Sequence, residues 1–200
     1  IKIDWKLQFN SHVKMICDRA NSKVGAIMRL RSKLDTNQKT LLYNSFMLSQ
    51  FGYCTNIWMF HGKSVNNRIN RIQIRALRAV YNNFVLSSDQ LMHQGNHVTV
   101  HQKNLRQLVV KVYKCLNNEA PELLDGIFRY RNISHNLRIC NLLELPDTRS
   151  QTYGLHSFEY RGSSSWNMLP DPFKSCISSS VLKSELNKCS VRCSCKICIQ

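Results

Sequence analysis

Acidic residues are scarce in this sequence: 12 Asp and Glu stand against 28 Lys and Arg, for a formal net charge of +16. No two carboxylates are adjacent, and the only tight group is Glu119, Glu122 and Asp125. Metal-dependent polymerases and nucleases need clustered carboxylates to hold their ions, so a self-sufficient centre of that kind is excluded. A Gly-rich phosphate loop, a nucleophile elbow and a pair of His on one helix face are missing too. No catalytic residue is therefore assigned. The three-residue spacing of Glu119, Glu122 and Asp125 instead suits the acidic first turn of a helix, opposite the positive end of its dipole. No apolar run approaches the roughly 18 residues of a membrane span, so no membrane partner is expected. The start, Ile1-Lys2-Ile3-Asp4-Trp5, carries neither an initiating Met nor a signal-peptide layout, and reads as a fragment of a longer protein that is not secreted. Without a signal peptide a disulfide framework is not expected either. Internal repeats and low-complexity tracts are absent.

What remains is a globular composition. The chain has 200 residues, enough for one ordinary domain or two small ones, with 43% hydrophobic residues. Mean hydropathy is −0.32 and the pI about 9.7. A pI above about 9 fits a polyanionic partner. Cys17, Cys54, Cys115, Cys140 and Cys176 are scattered through apolar-periodic segments, as buried reduced thiols are.

The hydrophobic pattern predicts a mainly α chain: an N-terminal strand remnant, a bundle of about five or six helices, and a loop-rich C-terminal part. Ile1, Ile3, Trp5, Leu7 and Phe9 alternate with polar residues, which predicts a strand. From Ser11, a candidate N-cap, the period becomes helical through Val13, Ile16, Cys17, Ala20, Val24, Ile27 and Leu34. Asp35-x-x-Gln38 predicts a capping box opening a second helix, with Leu41, Leu42, Ser45, Phe46 and Ser49 inside. Phe51, Tyr53, Trp58 and Phe60 close that unit. Further helices are expected over 64–82, 87–93 (capped by Ser87 or Ser88) and 99–117, the last with a stripe of Leu105, Leu108, Val109, Val112 and Leu116. Pro121 predicts a short helix over 122–128. Loops follow from Arg129 to Ser165, with an extended or hairpin piece at Tyr153 to Tyr160. A short helical turn over 166–169, ended by Pro170 and Pro172, and a last helix over 180–188 complete the pattern. The organisation expected is the end of a preceding domain over 1–10, a helical unit over 11–128, a loop-rich region over 129–188 and a Cys-rich tail over 189–200.

Two groups of residues carry the functional reading. In the helix over 64–82, Val65, Ile69, Ile72, Ala76 and Val80 form the buried stripe. Arg68, Arg71, Arg75 and Arg78 repeat at steps of three, four and three and share a face beside it. No carboxylate in the segment offsets them, whereas a phosphate backbone would, releasing counterions. Lys103 and Arg106 extend the basic candidates to the next long helix, with Lys111 and Lys114. The second group is Cys189, Cys193, Cys195 and Cys198. Cys-x-Cys-x-x-Cys is metal-like, yet four ligands within ten residues do not give the two separated hairpins of an ordinary zinc site, and no His is near in sequence. A partial Zn2+ site completed elsewhere and a Cys-rich end without metal both stay open. The His residues, isolated in sequence, are expected at the polar surface.

Several segments, in this order, resemble the reverse transcriptases of non-LTR (LINE-type) retrotransposons. Ile3-Asp4-Trp5-Lys6-Leu7-Gln8-Phe9-Asn10-Ser11-His12 is similar to the end of their palm. Leu42-Tyr43 through Phe51-Gly52-Tyr53-Cys54-Thr55-Asn56-Ile57-Trp58 resembles the leucine-rich helix that follows, with its Tyr-Cys and Trp. Arg71-Ile72-Gln73-Ile74-Arg75-Ala76-Leu77-Arg78 resembles their Leu-Gln-x-Arg-Ala-x-Arg helix. Val112-Tyr113-Lys114-Cys115-Leu116-Asn117-Asn118-Glu119-Ala120-Pro121 resembles their Tyr-Lys-x-Leu-Asn-x-x-Ala-Pro element. Phe158-Glu159-Tyr160-Arg161-Gly162 with Trp166-Asn167-Met168-Leu169-Pro170 resembles their terminal signature. The resemblance implies a thumb-like helical unit following the polymerase palm and gripping an RNA–DNA template–primer duplex. It implies Mg2+ for the parent RNA-directed DNA polymerase but no cofactor for this chain, and residence in nucleus and cytoplasm as a ribonucleoprotein. The family's aromatic-x-Asp-Asp box is absent, so the chain alone is expected to be inactive. The alternative is a stand-alone basic nucleic-acid-binding module, zinc-stabilised at its C-terminus. A relic without a function of its own is the third reading.

Overall fold

A computed structural model of the chain describes residues 1–60, 62–132, 141–150, 153–191, 193, 195 and 197. Its described residues are mainly helical, as the hydrophobic periods predict. They divide into two compact units, Ile1–His101 and Gln102–Gln200.

The first unit is built on two long helices, α1 (Asn10–Leu30) and α4 (Lys63–Tyr81), which pack on each other. Val13, Ile16, Cys17, Ala20, Val24 and Ile27 of α1 are buried, as are Ile69, Ile72, Ala76 and Val80 of α4. Val65 is only half-buried, at the fringe of the stripe. Between them run α2 (Thr36–Leu42), α3 (Thr55–Trp58) and, after α4, α5 (Ser88–Gln94). Both expected caps are formed. Asp35 accepts from Gln38 N at 2.7 Å while Asp35 N donates to Gln38 Oε1 at 3.1 Å. Ser87 and Gln90 close the same reciprocal box, which chooses Ser87 over Ser88.

Several expectations for this unit fail for identifiable reasons. Ile1 to Phe9 is not a strand: Ile3 and Trp5 are exposed, and the Asp4 carboxylate accepts from Gln8 N (2.9 Å) and Phe9 N (2.6 Å), folding the segment into a turn. Those two bonds also hold the Asp4 carboxyl below its ordinary pKa. The helix then begins at Asn10 behind Phe9, so Ser11 lies within it and caps nothing. It ends at Leu30, before Leu34. Finally, Leu41, Ser45, Phe46 and Ser49 face outward. After α2 the backbone widens into a π turn over Tyr43–Met47 and tightens into a 3-10 turn over Leu48–Phe51. A wider turn rotates the inner face relative to a 3.6-residue period, and Tyr43, Met47 and Phe51 are the residues buried. Of the aromatic cluster, Phe51, Trp58 and Phe60 are inside and Tyr53 is outside.

Helix α6 (Val100–Leu116) starts with the last residues of the first unit and otherwise belongs to the second. Leu105, Leu108, Val109 and Val112 are buried as its stripe predicts, and Leu116 is half-buried. The segment after Pro121 makes only a three-residue 3-10 turn, Glu122–Leu124, shorter than the expected helix; Gly126, at φ 71°, turns the chain away. Tyr130 and Leu143 form an antiparallel bridge. The extended piece expected at Tyr153 to Tyr160 is instead the entry to α7 (Phe158–Asn167), whose N-terminus is capped by the Ser157 hydroxyl on Tyr160 N at 3.1 Å. An accessible cap outweighs a short alternating pattern. Trp166 ends α7 rather than starting a separate turn, and Pro172 sits inside the first turn of α8 (Asp171–Lys174) rather than stopping a helix. Helix α9 (Ser179–Lys188) closes the unit.

The Tyr-Arg-Gly and Trp-Asn residues have a physical role here. Asn167 accepts from Leu143 N at 2.7 Å and donates to Leu143 O at 2.9 Å, while Trp166 Nε1 donates to Asn141 O at 3.2 Å. Together they bind the returning 141–143 segment to α7. Gly162 lies against Phe128: an added Cβ would sit 2.7 Å from two of its ring carbons and 2.9 Å from Val112 Cγ2. Gly162→Ala is therefore expected to destabilise the second unit by about 1–3 kcal/mol through overpacking. Urea denaturation should show a lowered midpoint at unchanged slope; an unshifted midpoint would mean that Phe128 can yield.

Candidate nucleic-acid interface and metal centre

On α4 the four arginines separate into two lines. Arg68 and Arg75, seven residues apart, engage α1: Arg68 pairs with Asp18 at 3.2 Å and Arg75 donates to Asn21 Oδ1 at 3.4 Å. Arg71 and Arg78 line a groove of 540 Å³ with Asn70, Ser88, Asp89 and Met92. Both Arg78 Nε and Asn70 Oδ1 are buried there without a hydrogen-bond partner. The ridge seen in the sequence is thus partly engaged by residues of another helix, Asp18 and Asn21. The Arg68–Asp18 pair is solvent-exposed, with side chains 46% and 55% accessible, and contributes little stability.

Beneath the same helix, Gln73 is buried and fully engaged. Its Nε2 donates to Tyr43 Oη (3.0 Å) and Val98 O (2.8 Å), and its Oε1 accepts from Val100 N (3.1 Å). Val100 opens α6, so Gln73 satisfies one of the donors a helix N-terminus leaves unpaired. Burial pushes the Tyr43 phenol up to about 12, against the smaller opposing effect of the Gln73 bond. The spacing could have revealed Gln73, which lies four residues after Ile69 and three before Ala76 on the buried stripe.

In the second unit, Lys103, Arg106, Lys111 and Lys114 of α6 and Lys183 of α9 line one groove of 440 Å³, floored by Val110 and Leu186. None of its lining residues is a carboxylate. Burial lowers the pKa of Lys103, and also that of Arg106, against a smaller opposing influence from Cys189. Both shifts mark cations short of solvation, which an incoming anion would supply. Lys103 and Arg106 were expected from the sequence as basic candidates; the contribution of Lys183 depends on the packing of α9.

The segment after α9 runs along α6. Gln102 grips Val191 at both backbone groups, donating to its carbonyl at 2.9 Å and accepting from its N–H at 3.0 Å. Arg106 Nη2 donates to Cys189 O at 2.7 Å. Cys193 and Cys195 are buried, their sulfurs 2.9 Å apart. A pair of sulfurs this close offers two of the donors that a Zn2+ site needs. Of the other tail cysteines, Cys189 donates to Glu185 O at 3.2 Å, and Cys198 lies outside the described residues.

The expectation that His residues sit at the surface fails for His12 and His101, both buried. His97 is half-buried, 2.8 Å from Tyr81 Oη, and burial lowers its pKa. His61 and His135 lie outside the described residues, as does Cys140. His101 stands four residues before Leu105 and seven before Leu108, so the stripe itself carried the signal. Cys17 and Cys115 are buried thiols whose pKa burial raises, as packing cysteines require. No helix among the described residues is long and apolar enough to cross a membrane.

Comparison with protein-family models, with curated proteins and with solved structures finds no match for this chain.

Proposed function

We propose that this chain is a nucleic-acid-gripping segment of an RNA-directed DNA polymerase of the non-LTR retrotransposon type, the helical part that follows the palm, and that it does no chemistry by itself. The observation that carries the reading is the α6–α9 groove, where five cations converge with no carboxylate among the lining residues. Such a surface costs self-repulsion unless a polyanion meets it, and a phosphate backbone spaces its charges to do so. Arg71 and Arg78 on α4 form a second basic surface, and the exposed Ile3 and Trp5 suit cover by a palm domain.

The direct test is titration of the purified chain into a labelled RNA–DNA hybrid at several salt concentrations. Binding is expected to weaken steeply with salt, with a log–log slope of about −4 if four or five phosphates are neutralised at roughly 0.9 each. Absence of binding at low salt, or a slope near zero, would reject the reading.

A second reading is favoured by Cys193 and Cys195, whose buried sulfurs lie 2.9 Å apart. Paired sulfurs in a buried setting suit Zn2+ better than Mg2+ or Ca2+, which take oxygen ligands. In that reading the chain is a basic nucleic-acid-binding module stabilised by zinc, and metal content of the purified protein distinguishes it.

A further inference from the structure

We infer that the groove between α4 and α5 is a reading site for one unpaired guanine nucleotide of the bound strand. The inference rests on the nucleic-acid reading above and adds what the first unit recognises in that strand.

The groove is built at helical spacing. Asn67, Asn70, Arg71, Ile74 and Arg78 recur at the steps that place residues on one face, so α4 presents them along one line. Helix α5 answers with Ser88, Asp89 and Met92. The connection between the two helices is pinned. Asn82, at φ 50°, ends α4, and the Asn83 side chain accepts from Val85 N at 3.0 Å and from Leu86 N at 3.2 Å. The Ser87 capping box then starts α5. A groove held in this way is formed before a ligand arrives, which lowers the cost of binding.

Its unmet hydrogen bonds define the ligand. Arg78 Nε is a buried donor and Asn70 Oδ1 a buried acceptor, and each is without a hydrogen-bond partner. A phosphodiester would serve the first, but it has no proton for the second and would meet the Asp89 carboxylate. A cation would meet Arg71 and Arg78. Asn70 and Arg78 stand eight positions apart, about 12 Å along the helix axis, a span that suits a nucleoside better than a single phosphate. The group that fits is neutral and flat, with donors on one edge and acceptors on another, and lies over Ile74 and Met92. A nucleobase is such a group, and 540 Å³ accommodates one with its ribose.

Among the bases, guanine matches the groove. Its O6 and N7 accept a two-pronged contact from an arginine, here Arg78. Its N1–H and N2 amino group donate, to Asp89 and Asn70. Adenine sets an amino donor beside N7, against the guanidinium, and the pyrimidines have no N7 and a smaller face. The donor edge is the one used in base pairing, so the nucleotide must be unpaired. Arg71, exposed on the same line of α4, meets its phosphate.

The experiment measures binding of the full chain to labelled uridine oligomers that carry one guanosine, adenosine or cytidine at the centre, beside the all-uridine oligomer. The guanosine oligomer should bind about tenfold tighter than the others, the low end of what one good bidentate base contact contributes. Inosine at the centre lacks the N2 amino group, and 7-deazaguanosine lacks N7; each should lose most of that advantage. These probes leave the protein unaltered, so folding does not enter the comparison. Asp89→Ala and Arg78→Lys should each remove the preference while the all-uridine oligomer stays bound. Equal affinities for all the oligomers overturn this inference alone and leave the nucleic-acid reading standing. A preference for another base, or a guanosine preference that survives both substitutions, overturns it as well. No binding by any oligomer at low salt overturns it too, and titration of the RNA–DNA hybrid then decides the broader reading by itself.

Discussion

Gln73→Leu is expected to be the most damaging single substitution in the first unit, costing about 3–5 kcal/mol as two or three buried groups lose their partner at about 1–3 kcal/mol each. The replacement keeps roughly the volume and the helix propensity, so the loss isolates the polar contribution. It strands Val100 N and Val98 O, and leaves the Tyr43 phenol with one fewer partner. It also removes the cap on α6, so helix signal should fall along with stability. Thermal unfolding and far-UV circular dichroism measure both. Gln73→Glu gives a second arm: it keeps the acceptor for Val100 N but loses both donors, and should fall between wild type and Leu. If Leu proves neutral, the amide network contributes nothing, and Gln73 is buried only because its helix is.

The second large effect concerns binding. Replacing Lys111, Lys114 and Lys183 together by Ala should weaken binding to an RNA–DNA hybrid about 100-fold at low salt and reduce the steepness of the salt slope by about 2–3, at roughly 0.9 per phosphate contact. These three are chosen because none has its charge engaged by a carboxylate within the groove. On α4 the effect should divide as the geometry does. Arg71→Ala/Arg78→Ala should cost more than Arg68→Ala/Arg75→Ala, whose guanidinium groups already meet Asp18 and Asn21. Equal losses from the two pairs would mean that the α1 contacts yield when nucleic acid arrives. An unchanged slope in the groove variant would remove the groove from the interface and return the reading to α4.

One helix serves both the groove and the segment that follows α9. Gln102 and Arg106 hold the segment that follows α9, while Lys103, Arg106, Lys111 and Lys114 face the groove. Arg106 belongs to both sets, which makes it a poor choice for a clean substitution. Its Nε is buried without a partner, while its Nη2 is bound to Cys189 O. The lysine variants avoid that ambiguity.

The sequence by itself determined the long helices, because α1, α4 and α6 each carry a stripe extending over several turns. It also determined the caps at Asp35 and Ser87, because a capping box is a local contact between residues three apart. The basic character was equally legible, since charge is a sum over residues. Tertiary structure decided the rest. The strand signal at Ile1 to Phe9 yielded to a turn closed by Asp4, because alternation specifies a strand only where a partner strand is present. The inner face after α2 moved to Tyr43 and Met47 once the backbone widened into a π turn, which no fixed period anticipates. The arginine ridge, uniform in sequence, was divided by Asp18 and Asn21 arriving from a helix some fifty residues earlier. Gln102 meets the backbone of Val191, because the segment after α9 lies along α6 and brings together residues about ninety apart. Periodicity and capping are local and survive in one dimension; which charge is neutralised, and which side chain holds which distant backbone, depends on packing.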